Sequence, residues 1–561
     1  IDDLNRTISV GMLEASIRNK LSDPVSITIN REHNISNEKY VFADRYASQT
    51  LTVHLPPAGS NSGRTISIVP STYPIRLESS VGELSGGDWA IVSESLDMIS
   101  NQGVWRPFGD AAQIGVRGKI KDIWPGSGSS SPNHFMEVNG TLFFSANHET
   151  NGTELWKTDG TEAGTSMVKD IISGSGGSSP SNFVEVNGTL FFSANHGSSG
   201  NELWKSDGTA AGTVLVKDIR SGANSSSIAY LTNLQGMLFF RANDGSTGYE
   251  LWKSDGTEAG TVRVKDIRPG SNSSSPSNFV EVNGTLFFAA NDGSKGTELW
   301  KSDGTEAGTT IVKDIRTGSS SSSLSYLTIM NDHFYFRAHD GSRGYELWKS
   351  DGTEAGTVLV KDIQTGSGSS SPNYLTEVNG TLYFSANDGT HSSELWKSDG
   401  TEAGTTMVKD INPGSSSSSL NSLTDVNGTL FFRASDGSTG YELWKSDGTQ
   451  AGSSLVKDTW PNSSSSFPNN FIAVNGTLFF SANDGLTGTE LWKSDGTQAG
   501  TVLAKEIYFG KRAGMNDFYF DYQMSIMPNS SSPSILTSYK GMLVFRASDP
   551  EGQELWKYDP N

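Results

Sequence analysis

Cysteine is absent from the 561-residue chain, which excludes a disulfide framework and any thiolate metal site. Basic residues are outnumbered, with 42 Lys and Arg against 62 Asp and Glu, so the formal net charge is −20. Phosphate recognition needs clustered positive charge, so this balance argues against nucleic acid as a partner and disfavours anionic membranes. No apolar run is long enough to span a bilayer.

One segment recurs almost letter for letter along the chain: Glu202-Leu203-Trp204-Lys205-Ser206-Asp207-Gly208-Thr209. Its tryptophan returns every 48 residues, at Trp156, Trp204, Trp252, Trp300, Trp348, Trp396, Trp444 and Trp492, and a ninth copy, Trp556, follows 64 residues later. A fixed period of this length is typical of an array of like supersecondary units.

Each repeat carries the signals of four short strands. In the second copy the predicted strands are Phe183–Val186, Thr189–Ala194, Glu202–Lys205 and Val214–Ile219. The first two are joined by Asn-Gly, a strong hairpin signal because both turn residues need positive φ. The second strand is apolar on both faces, as a sheet packed between neighbouring sheets must be. Four antiparallel strands per repeat predict a β-propeller blade.

The two ends of the repeat region complement each other. It starts with an isolated fourth strand, Lys119–Ile123, and stops after a third strand, Glu554–Lys557. Pairing the two fragments would complete a ninth blade and remove the open edges. We therefore predict an all-β, nine-bladed propeller over residues 119–561, with residues 111–118 as a connector. An aromatic-rich insertion at about 508–527 is either a packed surface loop or a contact for a partner.

Residues 1–110 lack the repeat and show about seven alternating stretches rich in β-branched residues, which predict a β-sandwich domain. The stretches are Arg6–Val10, Pro24–Asn30, Lys39–Ala43, Leu51–Leu55, Thr65–Val69, Pro74–Leu77 and Trp89–Val92. The histidines of this region, His33 and His54, are isolated, and no catalytic constellation accompanies them.

The repeat resembles the bacterial family named for its ELWxxDGT motif. Seven consecutive copies read Glu-Leu-Trp-Lys-Ser-Asp-Gly-Thr, from Glu202 to Thr497, and the likeness covers about four fifths of the chain. The first copy has Thr158 in place of Ser, and the last has Tyr558 and Pro560 in place of Ser and Gly. The resemblance implies a secreted or cell-surface propeller protein of bacteria, and it implies no catalytic residue.

This resemblance leads us to expect an extracellular or cell-surface location and a protein or glycan partner there, with self-assembly as an alternative. The chain begins Ile1-Asp2-Asp3, without an initiator methionine or a signal peptide. We expect it to be a processed or excised segment whose targeting signal lies outside the sequence.

Catalytic motifs are missing from the repeats. The histidines recur in no regular register, and neither a phosphate-binding loop nor His-Glu-x-x-His is present. A catalytic centre needs different groups that converge on one point, whereas near-identical blades present the same group many times. We therefore assign no catalytic residue and predict a protein without enzymatic activity.

Two sets of acidic residues are candidates for a role beyond solubility. One set lies in loops that loosely resemble calcium loops: Asp244, Asp292, Asp340, Asp388, Asp436 and Asp484. These loops lack the regular acidic ladder and the final glutamate, so calcium stays an open alternative and no cofactor is assigned. The other set shares one position of the first strand and could form a partial acidic ring or a solvated face: Glu137, Glu185, Glu281, Glu377 and Asp425.

An alternation between blades is the most distinctive pattern. The residue near the end of the second strand is arginine in every other copy: Arg241, Arg337, Arg433 and Arg546. Three of these copies carry a tyrosine before Glu-Leu-Trp: Tyr249, Tyr345 and Tyr441. Arg with Tyr can hold a carboxylate or a sugar, so we predict a ligand-binding face here. The alternative is a structural arginine bonded to an aspartate of a neighbouring blade.

These patterns favour an extracellular, non-enzymatic binding, adhesion or structural protein that uses the propeller as an interaction scaffold. One alternative is a component of an assembled surface fibre or layer. Another is a carbohydrate-active enzyme with its site in the propeller funnel. An acid pair unique to one blade would favour the enzyme, whereas repeated equivalent pockets would favour the binding protein.

Overall fold

The computed structural model describes residues 118–505, 507–508 and 530–560 in full, together with the backbone of eight strands before residue 118. The chain divides into two compact units, Ile1–Arg117 and Gly118–Asn561. All regular structure in the described parts is β, and they contain no helix that could cross a membrane. Apart from Tyr508, the predicted insertion lies outside the described residues.

The first unit contains two four-stranded sheets. Its strands β1–β8 are Ser26–Thr28, Tyr40–Phe42, Leu51–Leu55, Thr65–Ile68, Ile75–Ser79, Trp89–Ile91, Leu96–Asn101 and Val104–Phe108. The sheet orders are β1-β3-β5-β6 and β2-β4-β7-β8, as a two-sheet prediction requires. Strands β7 and β8 lie within the predicted domain but match none of the seven predicted stretches. The predicted strand Arg6–Val10 and the packing between the sheets lie outside the described residues.

The second unit is a nine-bladed β-propeller, which confirms the predicted fold class and blade number. It begins with β9, Lys119–Lys121. Blades 1 and 2 contain β10–β17, which are Asn133–Val138, Thr141–His148, Gly152–Thr158, Ser166–Lys169, Ser181–Val186, Thr189–Asn195, Asn201–Ser206 and Val214–Lys217. Blades 3 and 4 contain β18–β25, which are Ala229–Leu234, Met237–Asn243, Tyr249–Ser254, Val262–Lys265, Ser277–Val282, Thr285–Asn291, Thr297–Ser302 and Thr310–Lys313.

The remaining blades follow the same plan. Blades 5 and 6 contain β26–β33, which are Ser325–Met330, His333–His339, Tyr345–Ser350, Val358–Lys361, Asn373–Val378, Thr381–Asn387, Ser393–Ser398 and Thr406–Lys409. Blades 7 and 8 contain β34–β41, which are Asn421–Val426, Thr429–Ser435, Tyr441–Ser446, Ser454–Lys457, Asn469–Val474, Thr477–Asn483, Thr489–Ser494 and Val502–Lys505. Blade 9 contains β42–β44, which are Ser534–Tyr539, Met542–Asp549 and Gly552–Tyr558, and it is completed by β9.

The first strand of each blade is the innermost. First strands of successive blades contact one another, and β10 of blade 1 also contacts β42 of blade 9, so the ring is closed at its centre. The hairpin turns have the expected geometry, with φ of 50° at Asn187 and 76° at Gly188. Positive φ at both residues is the twist that joins two adjacent strands without splaying them.

Each repeat tryptophan is buried between two blades, as the invariant spacing predicts. Trp204 of blade 2 is 3% exposed and packs against Phe143, Leu155 and Val168 of blade 1. The second strand contributes to both neighbouring cores, and Phe192 is fully buried. Burial of a large apolar side chain contributes roughly 1.5–3 kcal/mol, so most of the sheet-to-sheet adhesion comes from this repeated cluster.

Lysines of the repeat connect neighbouring blades. The Lys205 ammonium donates to the carbonyl of Gly256 in the next blade at 2.9 Å. The Lys217 ammonium donates to the carbonyl of Thr261 at 2.8 Å. These lysines therefore satisfy turn carbonyls across the blade interface.

Ring closure occurs as predicted. Strand β9 pairs antiparallel with β44, with Leu555 opposite Lys121 and Trp556 opposite Lys119. The Lys119 ammonium forms ion pairs of 2.7 Å with both Asp549 and Glu551. Blade 9 therefore contains four strands although its segments are separated by more than 400 residues of chain.

Candidate ligand-binding site

The two ends of each blade differ in how the chain crosses them. At one end, the turn end, the Asn-Gly and Asp-Gly turns connect strands one to two and three to four. At the other end, the link end, the loop between strands two and three lies beside the segment that leads to the next blade. Ser226 of a blade link, for example, donates its backbone N–H to the carbonyl of Asn201 at 3.1 Å. All the predicted Arg and Tyr site residues lie near the link end.

Acidic side chains at the turn end close the turns themselves. Oδ1 of Asp207 accepts from the backbone N–H and the hydroxyl of Thr209, at 2.8 and 2.7 Å. These hydrogen bonds hold the pKa of Asp207 below its usual value. Glu281 of the predicted acidic ring likewise accepts from the N–H of Gly284 at 2.7 Å. These carboxylates therefore have a structural role in the hairpins.

The predicted calcium loops lie at the link end, and their aspartates hold the loops closed. Oδ1 of Asp244 accepts from the N–H groups of Ser246 and Thr247, both at 2.8 Å. The same pattern of bonds recurs at Asp292, Asp340, Asp388, Asp436 and Asp484. Among the fully described residues, no group of three or more acidic or histidine side chains could hold a metal ion.

A buried glutamate anchors each blade link. The Glu202 side chain is fully buried and accepts from the N–H groups of Ile219 and Ser226, at 2.9 and 2.8 Å. Burial raises the pKa of Glu202 to about 7, although the hydrogen bonds from Ser226 and Ile219 oppose this shift. The first residue of the Glu-Leu-Trp motif thus fixes the base of the link end.

Arginine and tyrosine come together in alternate blades, as the sequence predicts. The Arg241 guanidinium lies 5.0 Å from the ring centre of Tyr230 and 5.2 Å from that of Tyr249. In blade 5, Arg337 lies 4.9 Å from Tyr326 and 5.3 Å from Tyr345. A cation between two rings gains about 0.5–2 kcal/mol from each, depending on its hydration. The alternative bond to a neighbouring aspartate does not form among the described residues.

A cavity of about 460 Å³ opens at the link end between blades 6 and 7. We call it the Arg433 pocket and define it by Tyr374, Asn421, Arg433, Tyr441 and Phe467. The Arg433 guanidinium lies 5.8 Å from the Tyr441 ring. The Asn421 amide donates to the Tyr374 hydroxyl at 3.0 Å, which fixes that ring at the pocket wall.

Phe467 is the most unusual residue of the pocket. The other eight blades have serine at this position: Ser131, Ser179, Ser227, Ser275, Ser323, Ser371, Ser419 and Ser532. Its φ is 46°, a region that bulky residues rarely adopt, and the side chain is 56% exposed. The ring stacks on Tyr441 with centroids 5.4 Å apart and planes 26° apart. An exposed aromatic in a strained backbone position is a signal of function.

The chemistry of the pocket suits binding. Its lining combines exposed aromatic rings, amides, hydroxyls and one guanidinium, and it includes no Asp, Glu or His. General acid–base catalysis by carboxylates therefore has no candidate residues inside this pocket.

Arg546 lies outside the pattern, because its Nε donates to Ser534 at 3.1 Å and no tyrosine faces it among the described residues.

Sequence reasoning found the arginines and the tyrosines of the third strand but missed those of the first. Tyr230, Tyr326 and Tyr374 each have positive φ, between 58° and 61°, beside a bulge that begins their strand. These tyrosines occupy the same position of the repeat, at multiples of 48 residues, and this spacing could have identified them from the sequence. The bulge that turns them toward the arginines depends on pairing and leaves no mark in the local sequence.

No protein-family model matches the chain, and no curated protein matches it either. Similarity to solved structures is found with enzymes. A puromycin hydrolase is 12% identical with a TM-score of 0.34, covering 77% of this chain and 61% of its own. Oligopeptidase B from Leishmania major is 10% identical with a TM-score of 0.34, covering 66% and 55%. Prolyl oligopeptidase B from Galerina marginata is 11% identical with a TM-score of 0.35, covering 58% and 50%.

These matches correct one prediction from the sequence. The structures reported are all of enzymes, so the prediction of a non-enzymatic binding, adhesion or structural protein is wrong and is not retained. The chain spans about half to three fifths of the length of these structures. At this identity the likeness concerns the fold alone and assigns no reaction or substrate.

Proposed function

We propose that the chain is the substrate-binding propeller of a carbohydrate-active protein and that the Arg433 pocket binds an oligosaccharide. The observation that carries this proposal is the stack of the exposed Phe467 ring on Tyr441 beside a polar cavity. Aromatic faces pack against the C–H surface of a sugar ring, while amides and hydroxyls exchange hydrogen bonds with its hydroxyls. The volume lies within the range of small-molecule sites.

The arrangement of the polar groups supports a saccharide. Asn373, Asn421 and Ser385 line the cavity at the start of the inner strands and at the end of the second strand. Amides supply both donors and acceptors, which a polyhydroxylated ligand requires. Aromatic rings line the same cavity, so one sugar unit could pack on Phe467 while its hydroxyls face the amides.

The lining of the Arg433 pocket departs from the repeat, which supports a defined substrate over a generic repeat function. Arg433 and Tyr441 belong to the alternating pattern, but Phe467 departs from it. The proposed role of this pocket is to bind the saccharide. A catalytic group for the bound saccharide is not assigned to any described residue.

The proposal is tested by binding of the wild-type protein to an array of neutral and acidic oligosaccharides, followed by calorimetry on the best ligand. We expect Tyr441→Ala to weaken binding by about tenfold, since loss of a stacked ring removes roughly 1–1.5 kcal/mol or more. Tyr249→Ala in blade 3 is the matched control, because it removes the same repeat tyrosine outside the pocket. No binding to any saccharide, or equal loss in both variants, would contradict the proposal.

Turnover is measured separately from affinity. The bound saccharide is incubated with the protein, and the release of reducing ends is followed over time. Activity that Tyr441→Ala lowers in kcat/KM would connect the pocket to an enzyme. Affinity without product release would leave binding as the function of this chain.

A further inference from the structure

Among the described residues, the Arg433 guanidinium has no anion or hydrogen-bond acceptor, and the same holds for Arg241 in blade 3. The Nε of Arg433 is buried without a hydrogen-bond partner, and the guanidinium forms no ion pair with any described residue. Burial lowers the pKa of Arg433, although the guanidinium stays charged at all physiological pH. A partly desolvated cation of this kind is stabilised most by an anion from outside the protein.

Arg337 in blade 5 shows one hydrogen bond that Arg433 lacks. Nη1 of Arg337 donates to Oδ1 of Asn373 in the next blade at 2.8 Å. The residue at the corresponding place for Arg433 is Asn469. Oδ1 of Asn469 instead accepts from the Ser422 hydroxyl at 3.2 Å and from a backbone N–H at 2.9 Å.

The difference between Arg337 and Arg433 coincides with a substitution in the first strand. Blades 3, 5 and 6 have tyrosine as the second residue of the first strand, whereas blade 7 has Ser422. Tyrosine could only stack on the arginine, but the short serine hydroxyl reaches the neighbouring amide and occupies it. The guanidinium of Arg433 lines the cavity, and its Nε–H has no hydrogen-bond partner among the described residues.

We propose that the Arg433 pocket selects an acidic saccharide, in which the carboxylate of a uronic acid unit pairs with the Arg433 guanidinium while a sugar ring packs on Phe467. A planar carboxylate matches the two parallel N–H groups of the guanidinium fork. This inference rests on the proposed function and specifies its substrate class.

The charge of the whole chain limits the kind of acid. A net charge of −20 repels a densely charged polyanion at long range, so sulfated chains with several charges per unit are disfavoured. One carboxylate per binding site avoids most of this repulsion, and the pocket lining itself includes no acidic side chain.

The test compares uronic-acid oligosaccharides with their carboxyl-reduced neutral counterparts, printed side by side on one array and measured by calorimetry for the best pair. We expect the acidic member to bind at least about tenfold more tightly, since a charge-assisted hydrogen bond is worth roughly 1.5–3 kcal/mol. Arg433→Gln should remove this preference while keeping the weaker affinity for the neutral member.

Two further variants keep the result interpretable. Arg546→Gln, at the same repeat position in blade 9, should leave the acid preference unchanged. Phe467→Ser introduces the residue of the other eight blades, so it should fold normally and weaken both ligands equally. It provides a second readout of the pocket if Arg433→Gln does not fold.

The outcomes separate this inference from the proposed function. Equal affinity for acidic and neutral members would overturn the inference while saccharide binding stands. An acid preference that persists in Arg433→Gln would place the carboxylate elsewhere and also overturn it. Absence of binding to every saccharide would contradict the proposed function together with the inference.

Discussion

The turn end and the link end of the ring are built from the same repeats but have diverged to different extents. At the turn end, Asn187 and its equivalents keep positive φ, and the Asp-Gly turns all close on the same threonine bond. At the link end, one repeat position is serine in eight copies of the repeat and phenylalanine in one, Phe467. Backbone geometry restricts which residues the turns can contain, whereas the side chains of the links can vary because main-chain bonds to buried glutamates hold the links in place.

The fixed base of the link end is the buried glutamate of each repeat. Glu202 and its equivalents hold the links by main-chain bonds, which do not depend on the link side chains. Substitutions such as Phe467 can therefore accumulate without loss of the ring. The comparison teaches that conservation within this chain marks structure, and that departure from the repeat marks the candidate site.

Removal of the closing strand should have the largest effect on stability. Deletion of residues 119–123 exposes β44 as an open edge and removes Ile120 and Ile123 from the core of the junction. We expect a fall in melting temperature of more than about 10 °C and aggregation, measured by calorimetry and light scattering. Re-attachment of the strand after residue 561 should restore the ring. Melting like that of the parent would show that closure is dispensable.

Loss of one inter-blade tryptophan should come next in size. Trp300 is 6% exposed and packs against Leu251 and Val264 of the preceding blade. Trp300→Ala should lower the free energy of unfolding by about 3–5 kcal/mol in denaturant titration. Val262→Ala, at an exposed position of the same interface region, should change it by less than about 0.5 kcal/mol. Similar values for both would contradict a tight seam between blades.

The pH dependence of stability tests the base of the link end. Burial raises the pKa of Glu202 and Glu346 from 4.5 to about 7, so the folded state binds more protons than the unfolded state between these values. The free energy of unfolding should therefore be greatest near pH 5 and fall as the pH rises toward 8. Glu202→Gln should reduce the slope. A stability that increases from pH 5 to 8 would show that hydrogen bonding outweighs burial.

The smallest effect concerns a single turn. Gly188 has φ of 76°, and a Cβ there would lie 2.8 Å from the Asn139 amide nitrogen. Gly188→Ala should cost about 1–2 kcal/mol. Gly380→Ala has a similar φ of 77° but an open space around the new Cβ, so it measures the backbone strain alone. If both variants are as stable as the wild type, the turn end is less restricted than the account requires.

Much of the fold follows from the sequence because the repeat presents the same evidence many times. Period, Asn-Gly turns and the complementary ends predict blades, their number and their closure. The link from Lys205 to Gly256 and the burial of Glu202 could not be predicted, since they depend on which atoms of adjacent blades meet. Membership of the ELWxxDGT family and an extracellular location remain predictions.

The candidate site was predicted only in part. The alternation of arginine with tyrosine indicated which residues meet at the link end, and ligand binding there remains a prediction. The difference between Arg433 and Arg337 involves Ser422 and its hydrogen bond to Asn469 of the next blade, which the sequence does not show. Phe467 was visible as a departure from the repeat, but its stacking on Tyr441 requires the positive φ that only the folded link shows.

Hydrogen–deuterium exchange with and without the best saccharide ligand tests most directly whether binding is confined to the link end of the ring. We predict slower exchange in the bound state for the link-end peptides around Ser417–Asn421 and Phe467, and unchanged exchange at the turn-end peptides around Asn427 and Asp447. Protection at the turn end, or protection spread equally over all blades, would contradict the assignment of binding to the Arg433 pocket.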